Sequence, residues 1–246
     1  MSKILGCITA RGGSKRIPHK NLYPVAGLPL IHYAAYAAKS SDIFNRIILS
    51  TDSEKIAHAV KDIGVEVPFM RPKELAEDTT SSFEVVRHAL ESLPEKYDYT
   101  ALIHPTSPLI QNWHWQEALE LLLAEEGDSV IGVRPIPSKY HPSKALQGSP
   151  CLITKERRQG IRIQDLGESW YATGGIYIFR TSNIKNGDFY GEKIIPYEID
   201  EDYELDINEI EDIDEARERI CLIMPPSVKE DDERAYKRLC EENESK

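Results

Sequence analysis

No stretch of the 246 residues holds the 18 or so consecutive apolar side chains that a membrane-spanning helix needs, so no membrane partner is expected. Cysteine is scarce and scattered. Cys7, Cys151, Cys221 and Cys240 form no CxxC pair and no Cys/His cluster, which argues against zinc and reads as free thiols in a reducing cytosol. Positive charge is in the minority: 30 Lys and Arg stand against 41 Asp and Glu, a net charge of −11. A nucleic-acid binder shows the opposite balance. Two familiar phosphate-binding patterns are missing, GxxxxGK[ST] and GxGxxG, so neither a P-loop nor a dinucleotide fingerprint is present. Residues Met1–Thr9 run straight into an apolar segment without the pattern of a secretory leader, and a cytoplasmic location is the expectation.

What the sequence does hold is a rhythm of short apolar runs and amphipathic stretches. Ile4–Thr9, Arg46–Ser50, Val65–Phe69, Tyr99–His104 and Ser129–Val133 read as strands. Between them, Leu30–Ser40 and Trp113–Glu126 read as helices. Capping-box spacings at Thr51/Glu54 and Ser81/Glu84 predict helices to about Asp62 and Leu93. Such alternation implies right-handed βαβ units and a mainly parallel, doubly wound sheet with ligands at the C-terminal strand ends. The rhythm breaks at Pro135. Residues 136–170, rich in proline and glycine, read as an inserted arm with short antiparallel strands. Strands at Gly175–Arg180, Ile194–Ile199 and Glu204–Asn208 and helices at Ile213–Leu222 and Val228–Glu241 complete the prediction. Without a linker or an internal repeat, residues 1–246 read as one α/β domain.

The most informative stretch is Ala10–Asn21, ARGGSKRIPHKN, directly after the first strand. Arg11, Lys15, Arg16 and Lys20 gather four cations in a protein that is acidic overall. Gly12 and Gly13 remove side-chain bulk so that backbone N–H groups can face a ligand, and Ser14 adds a hydroxyl. Mobile point charges around amide donors suit a polyphosphate. A solvated basic turn is the plainer reading, and the position at a strand's C-terminal end argues against it.

This stretch resembles the N-terminal signature of the cytidylyltransferases that activate sialic acids, the CMP-sialic acid synthetase-like family. STDSEKIA (Ser50–Ala57), VPFMRPKELAEDTTSS (Val67–Ser82), HPTSPL (His104–Leu109), HPSK (His141–Lys144), GGIYIF (Gly174–Phe179) and ELDIN (Glu204–Asn208) resemble further family blocks in family order. The resemblance covers about residues 3–220. It implies a Rossmann-like fold of the nucleotide-diphospho-sugar transferase type, with an arm that makes a homodimer. The implied reaction joins CTP to a 2-keto sugar acid, with Mg²⁺ as cofactor.

By that resemblance Arg11, Gly13, Ser14, Lys15, Lys20 and Asn21 hold the CTP phosphates and ribose, with Lys15 and Arg11 catalytic. Arg71 and Ser82 lie by the nucleotide, although Thr79–Ser82 also reads as a plain helix N-cap. Asp206 is the expected metal ligand and catalytic carboxylate. Its companion Asn208 stands where family members have a second Asp, which leaves one metal or two open. On a strand the two would share a face about 7 Å apart. His104, Thr106, Ser107, Lys144, Arg162, Gln164 and Tyr171 are expected around the acceptor sugar. His104 replaces the usual Gln and Tyr171 the usual Arg, pointing to neuraminic, legionaminic or pseudaminic acid as acceptor candidates. No side chain stands out as general base; His104 and a hydroxide at a metal near Asp206 are the options. A transferase using another nucleotide or sugar, or a nucleotide-binding protein without turnover, are the competing readings.

Overall fold

A computed structural model describes residues 2–147, 152–153, 160–162, 165 and 167–223. The predicted helix at Val228–Glu241 lies outside them. Strands β1 (Ile4–Thr9), β2 (Pro24–Val25), β3 (Leu28–Pro29), β4 (Arg46–Ser50), β5 (Tyr99–Ile103) and β6 (Ser129–Pro135) precede the arm. β7 (Leu146–Gln147) and β8 (Leu152–Ile153) form an antiparallel pair within it, and β9 (Trp170–Arg180) and β10 (Ile194–Glu198) follow. The helices are α1 (Leu30–Ser40), α2 (Glu54–Ala59), α3 (Ser82–Ser92), α4 (Asn112–Ala124), α5 (Thr181–Lys185) and α6 (Ile210–Ile223).

The main sheet has six strands in the order β10-β6-β9-β5-β1-β4. β1 pairs in parallel with β4 and β5, and β10 in parallel with β6, while β9 runs antiparallel between β5 and β6. This is the mainly parallel doubly wound sheet that the alternation predicts. The chain leaves β1 to add β4 on one side and later β5 on the other. The strand order therefore reverses at β1, the place where such sheets open a crevice beyond their C-terminal ends.

Both faces of the sheet are buried at its centre, and the period-two alternation of β1 and β5 serves both. Ile4 and Ile8 of β1 and Tyr99, Ala101 and Ile103 of β5 pack on one face with Ile31 of α1 and Trp115 of α4. Leu5, Cys7 and Leu102 point the other way, against Val86 and Leu90 of α3 and Ile184 of α5. A third cluster lies beneath the strand ends. It joins Ile17, Leu109 and Ile207 to Ile213, Ala216 and Ile220 of α6. Ile17, Leu109 and Ile207 each come from a different loop, and each is at most 1 % exposed. Burying one such side chain contributes about 1.5–3 kcal/mol, so the three loops are fastened together from below.

Three local predictions need correction. Helix α2 is capped by Ser53, whose Oγ accepts from Ile56 N at 3.5 Å, and not by Thr51, which is buried. It ends at Ala59 and gives way to a single 3-10 turn. Val65–Phe69 is no strand: Glu66 makes one parallel bridge to Ile48, and Pro68 has no N–H with which to extend the ladder. Glu204–Asn208 is an extended loop whose Ile207 N–H donates to Thr106 O at 2.8 Å. The alternation there arises because Ile207 anchors the loop in the third cluster. By contrast, the Ser81/Glu84 capping box forms as expected, and β9 is longer than predicted, beginning at Trp170. The arm is tied to the sheet at its base. Buried His141 contacts Ser143 Oγ and Ser169 Oγ, each at 2.8 Å, through its two ring nitrogens.

Candidate active site

The loops following β1 and β5 and the segment following β10 meet over the third cluster and enclose a cleft of about 490 Å³. Arg11, Ser14, Lys15, Lys20, Asn21, Arg71, Ser82, His104, Thr106 and Asn208 all line it. Residues up to 197 positions apart in sequence, from Arg11 to Asn208, are thereby gathered at the switch point of the sheet.

Backbone chemistry shapes the cation loop. Asp52 Oδ1 accepts the Gly12 N–H at 2.8 Å, which bends the loop back toward the end of β4. A Cβ on Gly12 would sit 3.1 Å from Ser53 Cβ, closer than nearly all packed carbons, so a side chain would push the loop off its brace. Asn21 is buried, and its Nδ2 donates to Arg11 O at 3.0 Å. Asn21 thus holds the loop's backbone in this state. Gly13 faces open space. Arg71 is buried too. Its backbone N–H donates to Thr51 O at 2.7 Å, and its guanidinium donates to Ser50 Oγ at 3.1 Å and to Ser50 O. Burial pulls its pKa down, an effect partly offset by Cys7 and Asp52.

Lys20 spans the cleft floor. Its Nζ donates to Ile207 O at 2.8 Å, joining the cation loop to the acidic segment. Burial lowers its pKa, against the pull of Asp206 upward. Above it, Arg11 Nη2 pairs with Asp78 Oδ1 at 2.5 Å, and Lys15 Nζ pairs with Asp78 Oδ2. Hydrogen bonds from Lys15 and then Arg11 hold the Asp78 carboxyl below its ordinary range. The Lys15 side chain is 82 % exposed, so its ammonium is free to follow a ligand.

A second, shallower cleft adjoins the first. Ala172, Thr173, Gly174, Tyr177, Glu204, Leu205 and Asp206 line it. β9 has an irregular register here, between Ile131 and Val133 of β6, and Gly174 takes φ +84°, a left-handed value that favours glycine. A Cβ added there would be in ordinary contact, 3.7 Å from Ser107 Oγ and 3.8 Å from Asp206 Cγ, so the backbone at Gly174 runs close past both side chains. Ser107 Oγ is buried and has no hydrogen-bond partner among the described residues. His104 stands at the seam. It lines the first cleft, its ring meets Tyr177 edge-on with centroids 5.8 Å apart, and burial lowers its pKa against the opposing charge of Asp206.

Asp206 and Asn208 lie side by side although their segment is not a strand: Asn208 Nδ2 donates to Asp206 Oδ2 at 2.9 Å. Among the described residues no group of three or more His, Cys, Asp or Glu could hold a metal ion. The Asp206 carboxylate and the Asn208 amide, which line the adjoining clefts, fit Mg²⁺ nonetheless, because that ion keeps several waters and takes few protein ligands when a phosphate supplies the rest.

The outlying predictions fare differently. Tyr171 is 40 % exposed and donates to Glu204 Oε1 at 2.8 Å, within a group that also holds Arg134. Lys144 and Arg162 lie on the arm and line neither cleft. Arg162 pairs with Asp165 at 2.7 Å, three residues away. Gln164 lies outside the described residues. Asp52, Asp78, Gly174 and Tyr177 were not singled out from sequence. For Asp52 a signal existed, since it stands two residues beyond the end of β4.

A doubly wound sheet with a cation-rich glycine loop and an acidic segment at its switch point defines a nucleotide-binding α/β protein of the nucleotidyltransferase kind. The family model described as cytidylyltransferase matches residues 5–219. The chain is 33 % identical over 187 residues to the pseudaminic acid cytidylyltransferase of Campylobacter jejuni, covering 73 % of this chain and 79 % of that one. It is 34 % identical over 199 residues to the CMP-N,N'-diacetyllegionaminic acid synthase of Legionella pneumophila, covering 79 % and 85 %. The N-acylneuraminate cytidylyltransferase of Streptococcus agalactiae is 29 % identical over 83 % of this chain and 50 % of its own length. Among solved structures, CMP:2-keto-3-deoxy-manno-octonic acid synthetase complexed with CTP has a TM-score of 0.70 at 16 % identity, covering 91 % of this chain and 100 % of that one, a likeness of fold. The chain belongs to the cytidylyltransferase family, in its CMP-sialic acid synthetase-like group.

Proposed function

We propose that this protein transfers a cytidylyl group from CTP to the anomeric C2 hydroxyl of a sialic-acid-like 2-keto sugar acid. The hydroxyl oxygen bonds to the α-phosphorus, the bond to the bridging oxygen breaks, pyrophosphate leaves, and the hydroxyl proton passes to solvent or a nearby base. The observation that carries this reading is the meeting of two clefts at His104 and Asp206, one rich in cations and one lined by β9. Relatives named for pseudaminic, legionaminic and neuraminic acids support the choice of acceptor class.

In this reading the first cleft takes CTP. Negative charge grows on the leaving pyrophosphate as the bond breaks. Arg11 and Lys15, with Lys20 behind them, stabilise that charge more than they stabilise bound CTP, and this difference accelerates the step. Ser14, Gly13 and Asn21 shape the loop around the phosphates, while Arg71 and Ser82 flank the nucleoside. Asp206, with Asn208 beside it, would hold Mg²⁺, which when bound neutralises phosphate charge. The second cleft takes the sugar acid, with His104, Thr106, Ser107 and Tyr171 near it.

The arm carries Lys144 and Arg162 away from this chain's own clefts. A homodimer in which each arm closes the neighbour's second cleft would give those residues a role. None of the described helices is long and apolar enough to cross a membrane.

A screen of eight- and nine-carbon 2-keto sugar acids with CTP and Mg²⁺, read by ³¹P NMR, tests the proposal. The expected result is a sugar-linked phosphodiester signal together with pyrophosphate for at least one nine-carbon acid. CTP binding without turnover on every acid would favour a nucleotide-binding protein instead.

A further inference from the structure

The phosphate-side cleft already contains an anion, and it is part of the chain. The two Asp78 carboxylate oxygens divide between Arg11 and Lys15, the cations to which the loop chemistry assigns the phosphates. The segment that carries Asp78 is pinned at both ends. On one side Arg71 is buried and bonded to Ser50 and Thr51, and on the other the Ser81/Glu84 capping box starts α3. Asp78 is therefore held opposite the cation loop by its neighbours. Its own side chain is 37 % exposed, so water screens both ion pairs and they are easily broken. Of the other acids near the cleft, Asp52 accepts the Gly12 N–H and Asp206 accepts from Asn208, while Glu77 lines the cleft beside Asp78 without an ion pair to either cation.

We propose that Asp78 is a positioning residue that stands in for the phosphate chain, holding Arg11 and Lys15 in place when the cleft is empty and reclaiming them as pyrophosphate departs. The inference rests on the reading of Arg11 and Lys15 as the phosphate-holding pair. A polyphosphate that takes these cations must break both ion pairs and approach a like charge. Its affinity is thereby lowered, for CTP and for pyrophosphate alike. For the product this is useful. Two bare cations would retain pyrophosphate, whereas an internal carboxylate competes for them and hastens release. The arrangement also keeps the exposed Lys15 directed at the cleft before the nucleotide arrives.

The test is calorimetric titration of sodium pyrophosphate, without metal, into the parent protein and into Asp78→Asn, Asp78→Glu, Lys15→Ala and the Asp78→Asn/Lys15→Ala pair. Asp78→Asn should tighten pyrophosphate binding about three- to tenfold, the effect of removing two screened ion pairs. Its inhibition constant in turnover should fall in parallel. Asp78→Glu should return toward the parent value, and the tightening should shrink by more than half in the Lys15→Ala background. A merely structural role for Asp78 would not give tighter binding that depends on Lys15. If Asp78→Asn binds pyrophosphate as weakly as the parent, or more weakly, at an unchanged melting temperature, the role of Asp78 is refuted. Asp78→Ser, read the same way, decides the matter should Asp78→Asn fail to fold. A parent protein whose pyrophosphate affinity is indifferent to Lys15→Ala would overturn the phosphate-site reading itself.

Discussion

The two sides of the cleft are built on opposite plans. The loop at 10–21 carries cations, glycines and a hydroxyl, and its shape comes from backbone braces to Asp52 and Asn21. The segment at 204–209 carries acids and amides, and its position comes from a buried isoleucine and one main-chain bond to Thr106. Lys20 joins the two by donating to Ile207 O. One side is a mobile grip for negative charge, the other a fixed perch for a carboxylate. The difference teaches that the same cleft divides its labour between groups that must follow the ligand and groups that must stay still.

The comparison breaks first at Asp206. Asp206→Ala removes the carboxylate that lines the second cleft beside Gly174. Mg²⁺-dependent pyrophosphate release should fall at least about a hundredfold, with the melting temperature little changed. Metal titration of initial rates checks it. Overlaying curves for variant and parent would move the metal elsewhere and leave the acidic side without its function.

Lys15→Ala tests the other side. The side chain is exposed and its removal leaves the loop's braces intact. Turnover should fall at least about tenfold with circular dichroism unchanged, as expected for a charge that acts mainly in the transition state. Near-parental turnover would assign the grip to Arg11 and Lys20 alone.

The unlike sides were also unequally legible in sequence. Four cations and two glycines after the first strand announce polyphosphate chemistry, because few other arrangements in an acidic chain call for them. The strands and helices of the sheet were legible as well, since burial on both faces imposes unmistakable apolar runs on β1 and β5. Glu204–Asn208 misled, because an extended loop that drops every second residue toward a core repeats the pattern of a strand. Asp78 could not be read at all. It stands in a run of acids with Glu74 and Glu77, and only the fold shows that its carboxylate meets Arg11 and Lys15. Nor does sequence say that Arg71 is spent on Ser50, since a buried guanidinium and an exposed one look alike in a string of letters.

His104 lies between the sides and sharpens the contrast at lower amplitude. His104→Gln keeps a hydrogen-bonding side chain at the seam while changing its shape and donors. The ratio of kcat/KM between two acceptor acids should shift several-fold, with the KM for CTP within about twofold of the parent. A change confined to the CTP KM would place His104 on the nucleotide side.

The smallest expected effect lies away from both sides, in α4, where His114 is buried and its Nδ1 accepts the Gln111 N–H at 2.9 Å. Burial lowers the His114 pKa, and the Glu117 carboxylate only partly opposes it. The unfolded chain, whose histidine titrates near the ordinary value of about 6.5, therefore binds more protons than the folded one as pH drops below that point. The contribution of neutral His114 is complete above about pH 6.5 and is lost as pH falls from there toward its lower folded value. His114→Ala should cost about 1–2 kcal/mol at neutral pH through the lost cap and contacts, and should flatten the decline of melting temperature between pH 7 and pH 5. Turnover at pH 7.5 and 25 °C should stay at the parent level, because no atom of His114 faces either cleft. Melting curves across that pH range check the point. An undiminished slope in the variant would shift the acid sensitivity to other groups, and His104, the half-buried histidine at the seam, would be the first to examine, which would make the scaffold and the site one titrating system instead of two.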